Sequence, residues 1–172
     1  METGLAIVGD ARGRFNRRFA VQLADGALVE SVLYRDDTLC VSCQVGCAVR
    51  CPFCASGANG LGRSLTGDEI LGQLAAVEAL LEREGAPRLH GVTLSGIGEP
   101  LHAHDAARAF VAEVGRRGLR ATLTTSGGPL ARLRTWRGAA PHQGRPVAGH
   151  PGTAAGRARR GPQGPPHPSR GA

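Results

Sequence analysis

The chain has 172 residues, with 21 Arg and no Lys against 14 acidic residues, for a formal charge of +7. That length suits one domain, and no stretch approaches the ~20 apolar residues of a membrane span. The opening METGLAIVGDARGRF has no long apolar run, so no signal peptide is expected and the cytoplasm is the expected location. The charge is uneven. Residues 1–136 carry 15 Arg against 14 acids, so the expected folded part is nearly neutral and its charge says little about a partner. The remainder of the charge sits in Arg137 to Ala172, which holds 8 Gly, 7 Pro, 7 Ala and 6 Arg and no acid. Such a segment buries too little apolar surface to offset its ordering entropy and is expected to be disordered. Its vocabulary is also what GC-rich DNA gives when read out of frame, which points to a frameshift or truncation after about Trp136.

In chain order, RFAVQLADGALVESVLY (Arg18 to Tyr34) sets two alternating apolar runs around Asp25-Gly26, a hairpin signal. Thr38 to Val45 predicts a third strand running into a cysteine-rich loop, followed by a flexible stretch at Gly57, Gly60 and Gly62. Thr66 and Glu69 fit a capping box, and Ile70, Leu74, Val77 and Leu81 share one helical face. Gly85 and Pro87 stop that helix. HGVTLS (His90 to Ser95) predicts a buried strand, and Gly96 to Pro100 a tight loop. Ala106 to Arg117 predicts a second helix with Phe110, Val111 and Val114 inward. Arg120 to Thr125 predicts another strand, and Pro129 to Trp136 the start of a helix. Alternation of this kind makes a parallel sheet with helices outside, and functional loops at the strand carboxyl ends. The cysteine loop, the Gly98-Glu99-Pro100 loop and the segment Thr124 to Gly128 are therefore expected on one rim.

All five cysteines lie between Cys40 and Cys54. An odd, tightly clustered set argues for metal chemistry in a reducing compartment rather than a disulfide framework. Cys47, Cys51 and Cys54 form a C-x3-C-x2-C triplet. Three thiolates so close in sequence can hold three irons of a four-iron cluster and leave the fourth open, unlike the four-cysteine clusters of electron transfer. A zinc site is the alternative: Cys40-x2-Cys43 with Cys51-x2-Cys54 offers four soft ligands, although the gap between the pairs is short for a zinc ribbon.

The triplet, with Phe53 before its last cysteine, resembles the signature of the radical S-adenosylmethionine enzymes. The resemblance implies a [4Fe-4S] cluster on Cys47, Cys51 and Cys54 and S-adenosylmethionine on the open iron. One electron from the cluster then cleaves the sulfonium to a 5′-deoxyadenosyl radical. Gly98 and Glu99 are similar to the motif that receives the cofactor's ammonium group. Thr124, Thr125 and Ser126 match a segment with a cofactor-binding hydroxyl, with Thr124 and Ser126 as the leading candidates. Phe53 is expected to pack beside the cluster and adenine. CVSCQVGC and SGIGEPL resemble one subgroup from about Phe19 to Leu133, the 23S ribosomal and transfer RNA adenine-C2 methyltransferases. That implies RNA (rRNA or tRNA) as substrate and a reductase such as flavodoxin or ferredoxin as electron donor. Cys40 sits where the subgroup's cysteine that resolves the protein–RNA crosslink sits, and Glu30 resembles a glutamate proposed as a base.

The sequence also departs from the subgroup. No cysteine follows Cys54, so the downstream methyl-carrying cysteine has no counterpart here. Cys43 stands where serine is usual, and Glu30 lies nearer Cys40 than expected. The expectation is thus an α/β fold of three parts. Residues 1–36 form a small antiparallel β-hairpin region, 37–136 a partial (β/α) radical-SAM barrel of about three units, and 137–172 a disordered tail. Its expected activity is reductive cofactor cleavage without methyl transfer. A non-catalytic zinc-binding module and a non-functional truncated fragment are the alternatives.

Overall fold

A computed structural model describes residues 4–137; the tail from residue 138 onward lies outside the described residues. Eight strands and three helices follow one another: β1 (Ala6–Arg12), β2 (Asn16–Gln22), β3 (Leu28–Tyr34), β4 (Thr38–Val41), β5 (Gln44–Gly46), β6 (Leu61–Ser64), α1 (Gly67–Arg83), β7 (Gly91–Leu94), α2 (His104–Arg116), β8 (Arg120–Leu123) and α3 (Leu130–Arg137).

Six strands make one sheet in the order β1-β2-β3-β4-β7-β8. The first four pair antiparallel, while β4-β7 and β7-β8 pair parallel. The predicted hairpin thus shares one sheet with the parallel strands. A further strand, β1, extends it on one side, and β4 joins it to the parallel strands on the other. The β1 strand escaped the sequence reading because it is an edge with little buried surface, broken by a register shift at Gly9. The parallel register sets Val41 beside Leu94 and Leu94 beside Leu123, so the three strands end at one level.

The third predicted strand needs correction. It ends at Val41, and the chain restarts at Gln44 in a second, two-stranded sheet with β6. The stretch expected to be flexible is correspondingly ordered: a 3-10 turn at Ala55–Gly57 leads into β6. Gly46 carries φ +73, and a Cβ there would stand 2.0 Å from the Gly60 carbonyl oxygen. Only glycine lets the two ends of the cysteine loop approach this closely.

Helix α1 starts as its sequence requires. Thr66 accepts the Glu69 amide, and the Glu69 carboxylate accepts the Thr66 amide at 2.8 Å. Arg63 clamps this start from β6 by pairing with both Glu69 and Asp25 of the hairpin turn. Ile70, Leu74, Val77 and Leu81 are buried in one core with Phe19, Val21, Leu39, Val41, Val92, Leu94, Phe110 and Val114. Burial of each large apolar side chain contributes about 1.5–3 kcal/mol. This core lies between α1, α2 and one face of the sheet. The opposite face carries Glu30, Val32 and Cys40, since Cys40 stands opposite Val32 and residues two apart share a face.

Candidate functional site

Three loops leave the carboxyl ends of the parallel strands: residues 42–60 after β4, 95–103 after β7 and 124–129 after β8. They are bonded to one another. The Ile97 carbonyl accepts the amides of Cys43 and Gln44 at 2.9 and 3.1 Å, tying the first loop to the second. The Ser42 hydroxyl accepts the Ile97 amide and donates to the Glu30 carbonyl. Glu99 ties the second loop to the third. Its carboxylate accepts the Thr125 hydroxyl, the Ser126 amide and hydroxyl at 2.8 and 2.7 Å, and the Leu101 amide at 2.9 Å.

Glu99 is buried, at 4 % exposure. Burial pushes its pKa up, but the bonds from Thr125, Leu101 and Ser126 together outweigh burial and hold it below the ordinary value. It is thus an internal anion held by dipoles. Gly98, just before it, carries φ +114, and a Cβ there would meet Gln44 Cβ at 2.7 Å and Cys43 Sγ at 2.9 Å. Of the three candidate hydroxyls, those of Thr125 and Ser126 bond Glu99, while Thr124 is exposed and its amide donates to the Leu94 carbonyl.

The cysteines differ in environment. Cys47 is buried, Cys51 half-buried and Cys54 exposed. The Cys47 amide donates to the Gly60 carbonyl, and the Cys54 amide to the Cys51 carbonyl, which closes a tight turn under the triplet. A hydrogen bond from Ser56 lowers the Cys54 thiol pKa. Cys43 is buried at the loop's base, where burial and the nearby Glu99 charge push its thiol up to about 12. Cys40 is buried with its sulfur 3.0 Å from the Ser95 hydroxyl, and burial raises its pKa despite that bond. Glu30 is half-exposed on the same sheet face and lies 3.8 Å from Arg18. Phe53 is 89 % exposed, at the tight turn between Cys51 and Cys54.

Among the described residues, no three His, Cys, Asp or Glu side chains gather around a common point as ligands of a metal ion. Neither the four sulfurs of the zinc alternative nor the three of Cys47, Cys51 and Cys54 are therefore gathered among the described residues, with Cys40 and Cys43 in the interior and Cys54 at the surface. The donor chemistry of Cys47, Cys51 and Cys54 is nevertheless all thiol, on one loop with an open outer side. That set fits iron–sulfur ligation and suits hard cations poorly.

Sequence reasoning missed a set of buried amides and hydroxyls. Gln73 on α1 accepts the Ser31 hydroxyl and the Ser42 amide and donates to the Ser42 carbonyl at 2.9 Å. Gln44 accepts the Glu99 amide and donates to Ser64. The available signal was a glutamine among residues otherwise expected to be buried, such as Gln73 beside Leu74 on the core face.

No family model matches the chain. A dual-specificity RNA methyltransferase RlmN of Myxococcus xanthus is 44% identical over 94 residues, covering 53% of this chain and 26% of that protein. A probable one of Akkermansia muciniphila is 41% identical over 128 residues, covering 64% of this chain and 34% of its own length. A crystal structure of a radical SAM methyltransferase from Sphaerobacter thermophilus superposes with a TM-score of 0.65 at 33% identity, covering 72% of this chain and 39% of that one. The chain is related to the RlmN-type radical SAM RNA methyltransferases. It spans about a quarter to a third of the length of the curated RlmN relatives. The RlmN-related part has the mixed α/β architecture expected of a partial radical SAM barrel, with its three parallel strands joined to the antiparallel hairpin sheet. No helix among the described residues is long and apolar enough to cross a membrane.

Proposed function

We propose that this chain holds a [4Fe-4S] cluster on Cys47, Cys51 and Cys54 and binds S-adenosylmethionine against the Gly98-Glu99 and Thr124–Ser126 loops. It would serve as the cofactor-cleaving part of an RNA adenine methyltransferase. The observation that carries this reading is the joining of all three loops at one end of the parallel strands, through Ile97 and Glu99. When bound, the cluster supplies the electron that cleaves the cofactor's sulfonium.

The chain's own residues provide the setting. The Ser56 hydrogen bond makes the exposed Cys54 thiol ionise more easily, which favours the thiolate form a metal ligand needs. Gly98 lets Gln44 and Cys43 pack directly on the loop backbone, and the buried Glu99 anion gives that loop a negative potential suited to an ammonium group. The hydroxyls of Thr125 and Ser126 are aimed by Glu99 and can face the polar parts of the cofactor from their other side. Cys40 and Glu30 share one face of the sheet, the arrangement a resolving thiol and its base require. Burial keeps Cys40 protonated until a base acts on it.

The substrate class proposed is RNA, by the kinship with RlmN proteins, with a flavodoxin or ferredoxin as reductant and the cytoplasm as location. Reductive cleavage of S-adenosylmethionine is the step proposed for these residues. Anaerobic reconstitution with iron and sulfide, then dithionite and S-adenosylmethionine, tests it. The expected result is about four irons and four sulfides per chain, with 5′-deoxyadenosine as product. Zinc without sulfide, or no 5′-deoxyadenosine, overturns it.

A further inference from the structure

We infer that Gln44 is a positioning residue that couples the cysteine loop to the Gly98-Glu99 loop and, through Glu99, to the Thr125-Ser126 loop. Its side chain is fully buried, and it stands at the first residue of β5, where the cysteine loop begins. Its Oε1 accepts the Glu99 backbone amide at 2.9 Å, and its Nε2 donates to the Ser64 hydroxyl at 3.1 Å. Ser64 lies directly opposite Gln44 on β6, where the cysteine loop returns. One side chain thus touches both ends of the cysteine loop and the amide of the residue that anchors the third loop.

The chemistry requires an amide here. The Glu99 N–H is a donor and must meet an acceptor, which fixes Oε1 on that side and leaves Nε2 to Ser64. A glutamate would add a second buried anion beside Glu99, and a lysine would offer no acceptor. The Gln44 stem is also seated against Gly98, since any Cβ at position 98 would lie 2.7 Å from the Gln44 Cβ and Cγ. Movement of the cysteine loop is therefore transmitted to Gly98 by contact and to Glu99 by the hydrogen bond. Gln44 itself need touch neither cluster nor cofactor. Its effect on the cofactor rests on the reading proposed above, whereas the coupling between loops does not.

Amide exchange of the full iron-free chain, followed by mass spectrometry, tests the coupling. Gln44→Met keeps the volume and removes both bonds. Exchange should rise about tenfold, the worth of one lost hydrogen bond, in residues 96–101 and also in residues 124–128. The far end of α1 should not change. Ser64→Ala loosens only the Nε2 end and should give a smaller rise in the same two segments. A rise confined to residues 43–47, or no rise, overturns the inference. Should Gln44→Met fail to fold, the Ser64→Ala comparison decides alone. In reconstituted protein, Gln44→Met should keep its iron and sulfide content while the Kd for S-adenosylmethionine rises about tenfold. Unchanged affinity beside increased exchange would overturn the positioning role. A wild-type chain that assembles no cluster would sink the cofactor reading, and the exchange data would still judge the coupling.

Discussion

The Glu99 carboxylate accepts both the amide and the hydroxyl of Ser126, at 2.8 and 2.7 Å, across 27 residues of sequence. With the Thr125 and Leu101 donors, this makes Glu99 the knot between two loops that backbone pairing alone leaves separate.

That knot predicts an acid-sensitive contribution to stability. The folded pKa of Glu99 lies below its ordinary 4.5. The stabilisation is therefore fully present above that ordinary value and is lost as pH falls through the folded one. Chemical denaturation at a series of pH values should show a steeper acid limb for wild type than for Glu99→Gln below about pH 4.5. Superimposable limbs would refute the assignment.

Gly98→Ala should be tolerated poorly. The left-handed backbone and the crowding by Gln44 and Cys43 add strain of roughly 1–3 kcal/mol. The measurement is twofold: a lower Tm, and weaker S-adenosylmethionine binding by the reconstituted protein. A variant with wild-type values in both would show that the loop relaxes freely.

Gln73→Leu should destabilise by roughly 2–4 kcal/mol, because the Ser31 hydroxyl and both backbone groups of Ser42 lose a buried partner. Urea unfolding reads this directly. A loss under about 0.5 kcal/mol, the ordinary effect of a surface change, would mean that the network does not bear on stability.

The thiols should alkylate in a fixed order in the folded, metal-free chain. Cys54 is exposed and more easily ionised, so iodoacetamide should label it first. Cys43, buried and pushed up to about 12, should be labelled last, with Cys40 also slow until the chain unfolds. Peptide mapping against time gives the order. Early labelling of Cys43 would contradict the packing around Gly98.

Much of the fold was legible because its signals are local. The Thr66-Glu69 box and the apolar spacing from Ile70 to Leu81 lie within one helix, and Asp25-Gly26 lies within one turn. The alternation of strands and helices by itself sets the three loops on one rim. The β1 and β6 strands were not legible. Their burial is slight, and what holds them is pairing with distant strands rather than any pattern of their own.

The sequence by itself determined the donor types, their spacing and the order of the loops, since these follow from residue identity and from periodicities a few residues long. Only the tertiary structure decided which groups meet. It put the Thr125 and Ser126 hydroxyls on Glu99, with Thr124 left outside, and it joined Gln44 to an amide 55 residues away. The physical reason is that a buried polar group must find a partner, and the partner it finds depends on how β4, β7 and β8 are set side by side.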